Sequence, residues 1–203
     1  MALALTTKLE AINTMLSTVG EAPVNSLTGS LTADIRLAQN ILNESSREVQ
    51  STGWHFNTDK EVTLLPNSLN QIELSDGVAR VDLEGENIDT GYDVVVRGTK
   101  LYNRKERTYT FTENKKYTVT YILDWHELPE SARRYIMIRA SRIYQDRLVG
   151  SEKLSAFSRS DEQAALLSLR AYEMETADYS LFDNWDVAKI INRGSPLNRM
   201  GRS

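Results

Sequence analysis

His55 and His126 are the only two histidines in the chain, and there is no cysteine. A three-His zinc site cannot be built within one chain, and thiolate chemistry, disulfides and Cys-ligated metals are excluded. His126-Glu127 opens like the His-Glu-x-x-His zinc helix, but its fifth position is Glu130, so the second imidazole one turn on is missing. There is no Gly-rich phosphate loop and no Gly-x-Ser-x-Gly nucleophile elbow,. Many serines and two histidines single out no Ser–His–acid set. What remains is a carboxylate pair. Glu127 and Glu130, at i, i+3, could share a helix face beside Trp125 and act as acid and base of a glycan-cleaving hydrolase. The competing reading, which is favoured, makes them partners of a helix dipole. His55, between Trp54 and Phe56, reads as a hydrogen-bonded packing residue. No catalytic, cofactor or metal site is expected.

The basic residues are weighed the same way. Arg133, Arg134, Arg139, Arg142 and Arg147 fall in one helical stretch, and Asp146 interrupts any stripe begun by Arg139 and Arg142. The chain carries 24 Lys+Arg against 28 Asp+Glu, a net charge of -4. Sequence-specific duplex binding needs a basic face, so these arginines are expected to pair with Glu and Asp of neighbouring helices, within or between subunits, subunit or portal contacts being favoured over DNA. With 203 residues, 40% of them hydrophobic, the chain can bury its own core. No apolar run reaches the roughly 18 residues of a membrane span. The start lacks the charged leader and apolar core of a signal peptide, so the expected place of synthesis and assembly is a host cytoplasm, with no membrane partner.

These side chains must be positioned by helices, then strands, then helices. Leu5, Leu9, Ile12, Leu16 and Val19 form one helical stripe, with Thr7 and Glu10 spaced as a capping box and Gly20 and Pro23 ending it,. A second helix is predicted over about 31–52, capped by Ser30 or Thr32, with Gly53 at its C′ position,. Short strands are predicted over 61–65, 71–74, 78–83, 92–97, 100–103, 108–112 and 117–123, the last two joined by a hairpin at 113–116. They read as a small antiparallel sandwich or barrel. Helical period returns at Pro129 and runs to Gly150, and a fourth helix is predicted from Ser158, itself or Ser160 being the cap, to about 179. Trp54, Phe56 and Trp125 are expected to seal the junction, the two ends of the strand region lying close together. The expected fold is therefore α+β: a four-helix bundle with an inserted small antiparallel β-unit and an extended C-terminal arm. Its divisions are 1–56, 57–124, 125–183 and 184–203.

Several blocks carry a family resemblance. They include Val19-Gly-Glu-Ala-Pro-Val24, Ala38-Gln-Asn-Ile-Leu42, Ser51-Thr-Gly-Trp-His-Phe-Asn57 and Val62-Thr-Leu-Leu-Pro66. Val96-Arg-Gly-Thr-Lys-Leu-Tyr-Asn-Arg104, Leu128-Pro129, Ala140-Ser-Arg142 and Tyr172-Glu-Met-Glu175 keep their order and spacing. The chain resembles the tail tubular protein A family of short-tailed bacteriophages, the head-to-tail adaptor or gatekeeper. The resemblance implies a structural virion-tail protein, not an enzyme. It implies a dodecameric ring between the portal protein and a nozzle of the tail tubular protein B type, through which DNA is ejected with only transient, non-specific contact. The helices would face the portal and the β-unit the nozzle.

Two sets of basic residues are then assigned. Lys189, Arg193, Arg199 and Arg202 form a portal-binding arm. Lys115 and Lys116 mark the nozzle-facing β-unit. Acidic side chains, including some among Glu84, Glu86 and Asp89, are expected on exposed loops of the β-unit at the channel, where an acidic wall would not hold DNA.

Overall fold

The computed structural model describes residues 4–84, 93–150 and 152–176. Among them are four α-helices and two small antiparallel sheets, an α+β arrangement. Helix α1 spans Lys8–Ser17. The Thr7 hydroxyl accepts from the Glu10 N–H at 3.1 Å, and the Glu10 carboxylate accepts from the Thr7 N–H at 2.7 Å. The capping box is thus formed as predicted, and these bonds hold the Glu10 carboxyl below its usual range. Leu5 stays outside the helix and is 52% exposed. Beyond α1, Asn13 grips Val24 through both its amide nitrogen and its oxygen. That fastens the Gly-Glu-Ala-Pro turn to the helix it leaves.

Helix α2 spans Ala33–Ser51, with Thr32 as cap. Gly53 follows with φ of +81°, the left-handed turn for which glycine is suited. Ile35, Ala38, Ile41, Leu42 and Val49 are buried. Helix α3, Glu130–Leu148, begins after Pro129 as N-cap. It is the central element, packing against α1, α2 and the last helix, α4. Helix α4 spans Glu152–Thr176, starting six residues before the expected Ser158. Ser158 and Ser160 are interior positions and not caps. The break in the chain is Gly150, at φ +63°, and the good helix formers that follow it extend the helix. Ile12, Leu16, Leu42, Ile136, Tyr144 and Leu169 meet in one apolar core. Full burial of each such side chain contributes about 1.5–3 kcal/mol.

Strands β1 (Thr58–Thr63), β2 (Val78–Leu83), β3 (Val94–Arg97), β4 (Lys100–Asn103) and β5 (Lys116–Tyr121) lie between α2 and α3. They form a three-stranded sheet in the order β1-β5-β2 and a hairpin of β3 with β4. Leu101, Phe111, Tyr117, Val81, Val119 and Ile72 make a second core that both sheets share. Three strand predictions are corrected. Residues 71–74 and 108–112 join the sheets through isolated bridges, Gln71 with Thr110 and Glu73 with Lys100. The 113–116 segment does not close a hairpin, because β5 runs between β1 and β2. A tight hairpin wants Asn-Gly or a similar pair, and Glu113-Asn-Lys-Lys116 has no glycine.

The two cores are joined by buried amides. Gln50 donates to Leu123 O (3.1 Å) and accepts from Leu123 N–H (2.7 Å). Asn57 donates to Tyr121 O (2.6 Å) and to Gln50 O (2.9 Å). Trp54, Phe56 and Trp125 pack, half-buried, on the helical core beside this joint. No helix among the described residues is long and apolar enough to cross a membrane.

Candidate functional site

Glu127 and Glu130 do not share a helix face. Glu127 ends a 3-10 turn, Trp125–Glu127, while Glu130 opens α3, with extended Leu128 and Pro129 between them. Each carboxylate is engaged by the fold. Glu127 accepts from the Asp124 N–H at 2.9 Å. Glu130 accepts from the Thr6 N–H at 2.8 Å and from the Thr6 hydroxyl. Glu130 also sits at the positive end of the α3 dipole. Both residues therefore tie chain termini of helices in place, in line with the structural reading. Asp124, His126 and Glu127 do bring one donor atom each within 4.8 Å, all exposed. The Glu127 end of this cluster is already in use as the cap of its own turn.

His55 departs from expectation. Its residue is exposed rather than packed, and the contact the structure shows is its backbone N–H donating to Glu173 at 2.5 Å. Glu173, on the last turns of α4, is buried. The bond therefore pins α4 to the start of the strand region, a contact that sequence spacing could not signal.

Four of the five arginines of α3, Arg133, Arg139, Arg142 and Arg147, meet partners within the chain. Arg133 is buried and donates to three carbonyls, of Leu128, Thr6 and His126, at 2.8, 2.9 and 2.6 Å. The α1 lead-in, the 3-10 turn and α3 converge on that one guanidinium. Arg139 pairs with Glu162 at 2.7 Å and with Glu48 at 2.5 Å. Arg142 pairs with the same Glu162 and, at 3.0 Å, with Asp146. Asp146, which interrupts the basic stripe in sequence, is thus a partner in space. The Glu162 carboxylate raises the Arg142 guanidinium's affinity for its proton. Arg147 lies 3.6 Å from Glu44. Arg134 alone of the five is exposed with no ion pair among the described residues.

Lys115 and Lys116 lie at the start of β5, each paired in its own chain. The Lys115 ammonium is 2.6 Å from Glu113, and that of Lys116 is 2.7 Å from Glu61. Each group of the second pair shifts the other: Lys116 upward, Glu61 downward. Glu61 stands at φ +56°, where the β1–β5 register shifts, and its N–H donates to Glu84 at 2.6 Å. Glu84 also accepts from Thr118, so this residue, one past the end of β2, is half-buried against the sheet edge. Glu86 and Asp89, and the arm residues Lys189, Arg193, Arg199 and Arg202, lie outside the described residues.

Among the described residues, then, charged groups serve mainly to hold turns, helices and strand edges together. A family model described as tail tubular protein matches residues 9–179, and the chain belongs to that family, a structural component of the phage virion tail. It is similar to tail tubular protein A of Klebsiella phage KP34, 27% identical over 170 residues, which cover 81% of this chain and 86% of that protein.

Proposed function

We propose that the chain is the head-to-tail adaptor subunit of a short-tailed phage. Copies form a ring, dodecameric in the family the sequence resembles, between portal and nozzle, and DNA leaves through its lumen. The observation that carries this reading is the family match across 9–179. The engagement of Glu127 and Glu130 by backbone and Thr6 supports it, since the carboxylate pair otherwise available for hydrolysis already has a mechanical task.

On this reading the four helices form the bundle, 1–56 with 125–183, that meets the portal. The inserted 57–124 carries the nozzle contact through Lys115 and Lys116, and the 184–203 arm strengthens docking on the portal. A ring needs two different, mutually complementary faces on every copy. A net charge of -4 is consistent with a wall past which DNA slides, because each phosphate neutralised adds salt-dependent affinity.

The test is the mass of the purified protein with and without portal, read by native mass spectrometry or light scattering. A closed multimer, alone or on the portal, is expected. A stable monomer that never joins portal would refute the proposal.

A further inference from the structure

Helix α4 has two apolar faces, and only one of them is covered by the described residues. Ala165, Leu169 and Glu173 turn inward and are buried. Ala164, Leu167, Ala171 and Met174 recur at spacings of three, four and three on the opposite side, the seam spacing of a helix that packs on a partner. Leu167 is 60% exposed and Met174 70%. Arg170 and Glu175 stand on the two flanks of this ridge, both exposed and without an ion pair among the described residues.

Beside the ridge lies a groove. Helices α1 and α4 both pack on α3, and a cavity of about 410 Å³ opens between them, with Thr14, Arg134, Ile138, Ser141, Asp161 and Ser168 among its lining. A second cavity shares Thr14 and extends the groove past Met137 to the exposed Leu5. Its lining sets Ile138 beside Ser141, and its charged groups are Arg134, Asp161 and Arg142, the last already paired with Glu162 and Asp146, with Glu10 and Glu130 towards Leu5. Arg134 and Asp161 have no ion pair among the described residues, in contrast to the neighbouring Arg139 and Arg142.

We infer that the α4 ridge of one copy seats in the α1–α4 groove of the next. This rests on the ring reading above and names its contact. Ridge and groove are different surfaces that adjoin at Ala164, which also lines the groove, and a heterologous, ring-closing interface demands two such surfaces. Their charges are complementary: Glu175 of the ridge answers Arg134 of the groove, and Arg170 answers Asp161. Alanines at 164 and 171 let a helix approach closely, while Leu167 and Met174 supply apolar area otherwise left in water.

The absence of cysteine makes the test clean. Thr14→Cys places a thiol in the groove and Leu167→Cys one on the ridge, both at exposed positions. Each variant is assembled alone and in a one-to-one mixture, then treated with a short bismaleimide. Cross-linked dimer is expected in the mixture and not with either variant alone. Dimer from Leu167→Cys alone would mean ridge on ridge, and cross-linking of either thiol to portal would mean a different occupant; both overturn the inference. So does a mixture that stays uncross-linked in rings of full mass, an outcome that leaves the ring reading standing. Absence of any multimer defeats both. As an independent check, Arg134→Glu and Glu175→Arg each reduce assembly roughly tenfold, and the double variant restores it. Failure of restoration, with both single variants folded, counts against the pairing.

Discussion

Gln50 and Asn57, seven residues apart, bond to each other and to the returning strand: Asn57 donates to the Gln50 carbonyl, and the two side chains together hold Tyr121 and Leu123. They are 0% and 2% exposed. The outgoing and incoming chains of the strand region are thereby held at one point between the two cores. Asn57 also accepts from the Trp54 N–H at 2.8 Å, so the same amide sets the turn that leaves α2.

Gln50→Ala or Asn57→Ala leaves buried backbone groups without partners. Each is expected to destabilise the subunit by about 1–3 kcal/mol. The double variant should cost less than the sum, because the two amides hold neighbouring residues of one strand end, Leu123 and Tyr121,. Urea unfolding of the four proteins measures this. Strict additivity would mean that the joint is two separate contacts.

Glu162 is the anion between Arg139 and Arg142 at the α3–α4 contact, with a side chain only 13% exposed. Glu162→Gln removes the charge and leaves two partly buried guanidinium groups facing each other. The expected loss is about 2 kcal/mol, between the exposed and the fully buried cases. Hydrogen exchange should show faster opening of α4 than of α2. Uniform loss of protection would locate the effect elsewhere.

Tyr144 gives a pH dependence. Burial, with the negative charges of Glu21 and Asp34, pushes its phenol up to about 12, against about 10 in an unfolded chain. The folded state therefore disfavours the phenolate. Its contribution to stability is complete below pH 10 and is lost as pH climbs from 10 towards 12. The hydroxyl has no hydrogen-bond partner among the described residues. Tyr144→Phe should accordingly leave stability at pH 7 unchanged or raise it by up to about 1 kcal/mol. It should also flatten the decline between pH 10 and 12. Melting curves across that range decide; an unchanged alkaline slope would assign the decline to other groups.

The assembly assignments are tested at two places. Lys115→Glu with Lys116→Glu should weaken nozzle binding while portal binding persists, and deletion of 184–203 should do the reverse. Pull-down on purified portal and nozzle reads both. Equal loss of the two partners in either variant would contradict the division of surfaces.

Local signals in the sequence were legible where one element carries its own instructions. Thr7 and Glu10 close the α1 cap, Thr32 and Gly53 bound α2, and the alternation over 78–83 gives β2 with its predicted ends. The misses are of another kind. Periodicity shows that 116–121 is a strand but not which strands flank it, so β5 was expected beside 108–112 and lies between β1 and β2. Ser158 and Ser160 have the chemistry of caps, yet a serine caps only where the helix starts, and Gly150 starts it earlier. Arg133 announces a charge without announcing the three carbonyls that take it. Gln50 and Asn57 carry no periodicity at all, being defined only by the partners they meet across the chain.

The place of β5 and α3 in the chain governs how the protein is made. On the ribosome, β1 and β2 emerge tens of residues ahead of the strand that must lie between them, and α1 and α2 emerge before the helix on which both rest. The inner edges of β1 and β2 stay uncovered until synthesis has passed residue 121, the end of β5, and the helix faces that rest on α3 until it has passed residue 148. Maturation of the subunit is therefore late, with the strand core complete in sequence before the helical core,. A chain that stalls before residue 121 presents bare strands and half a core to the chaperones and proteases of its host, and no finished surface for another copy to recognise.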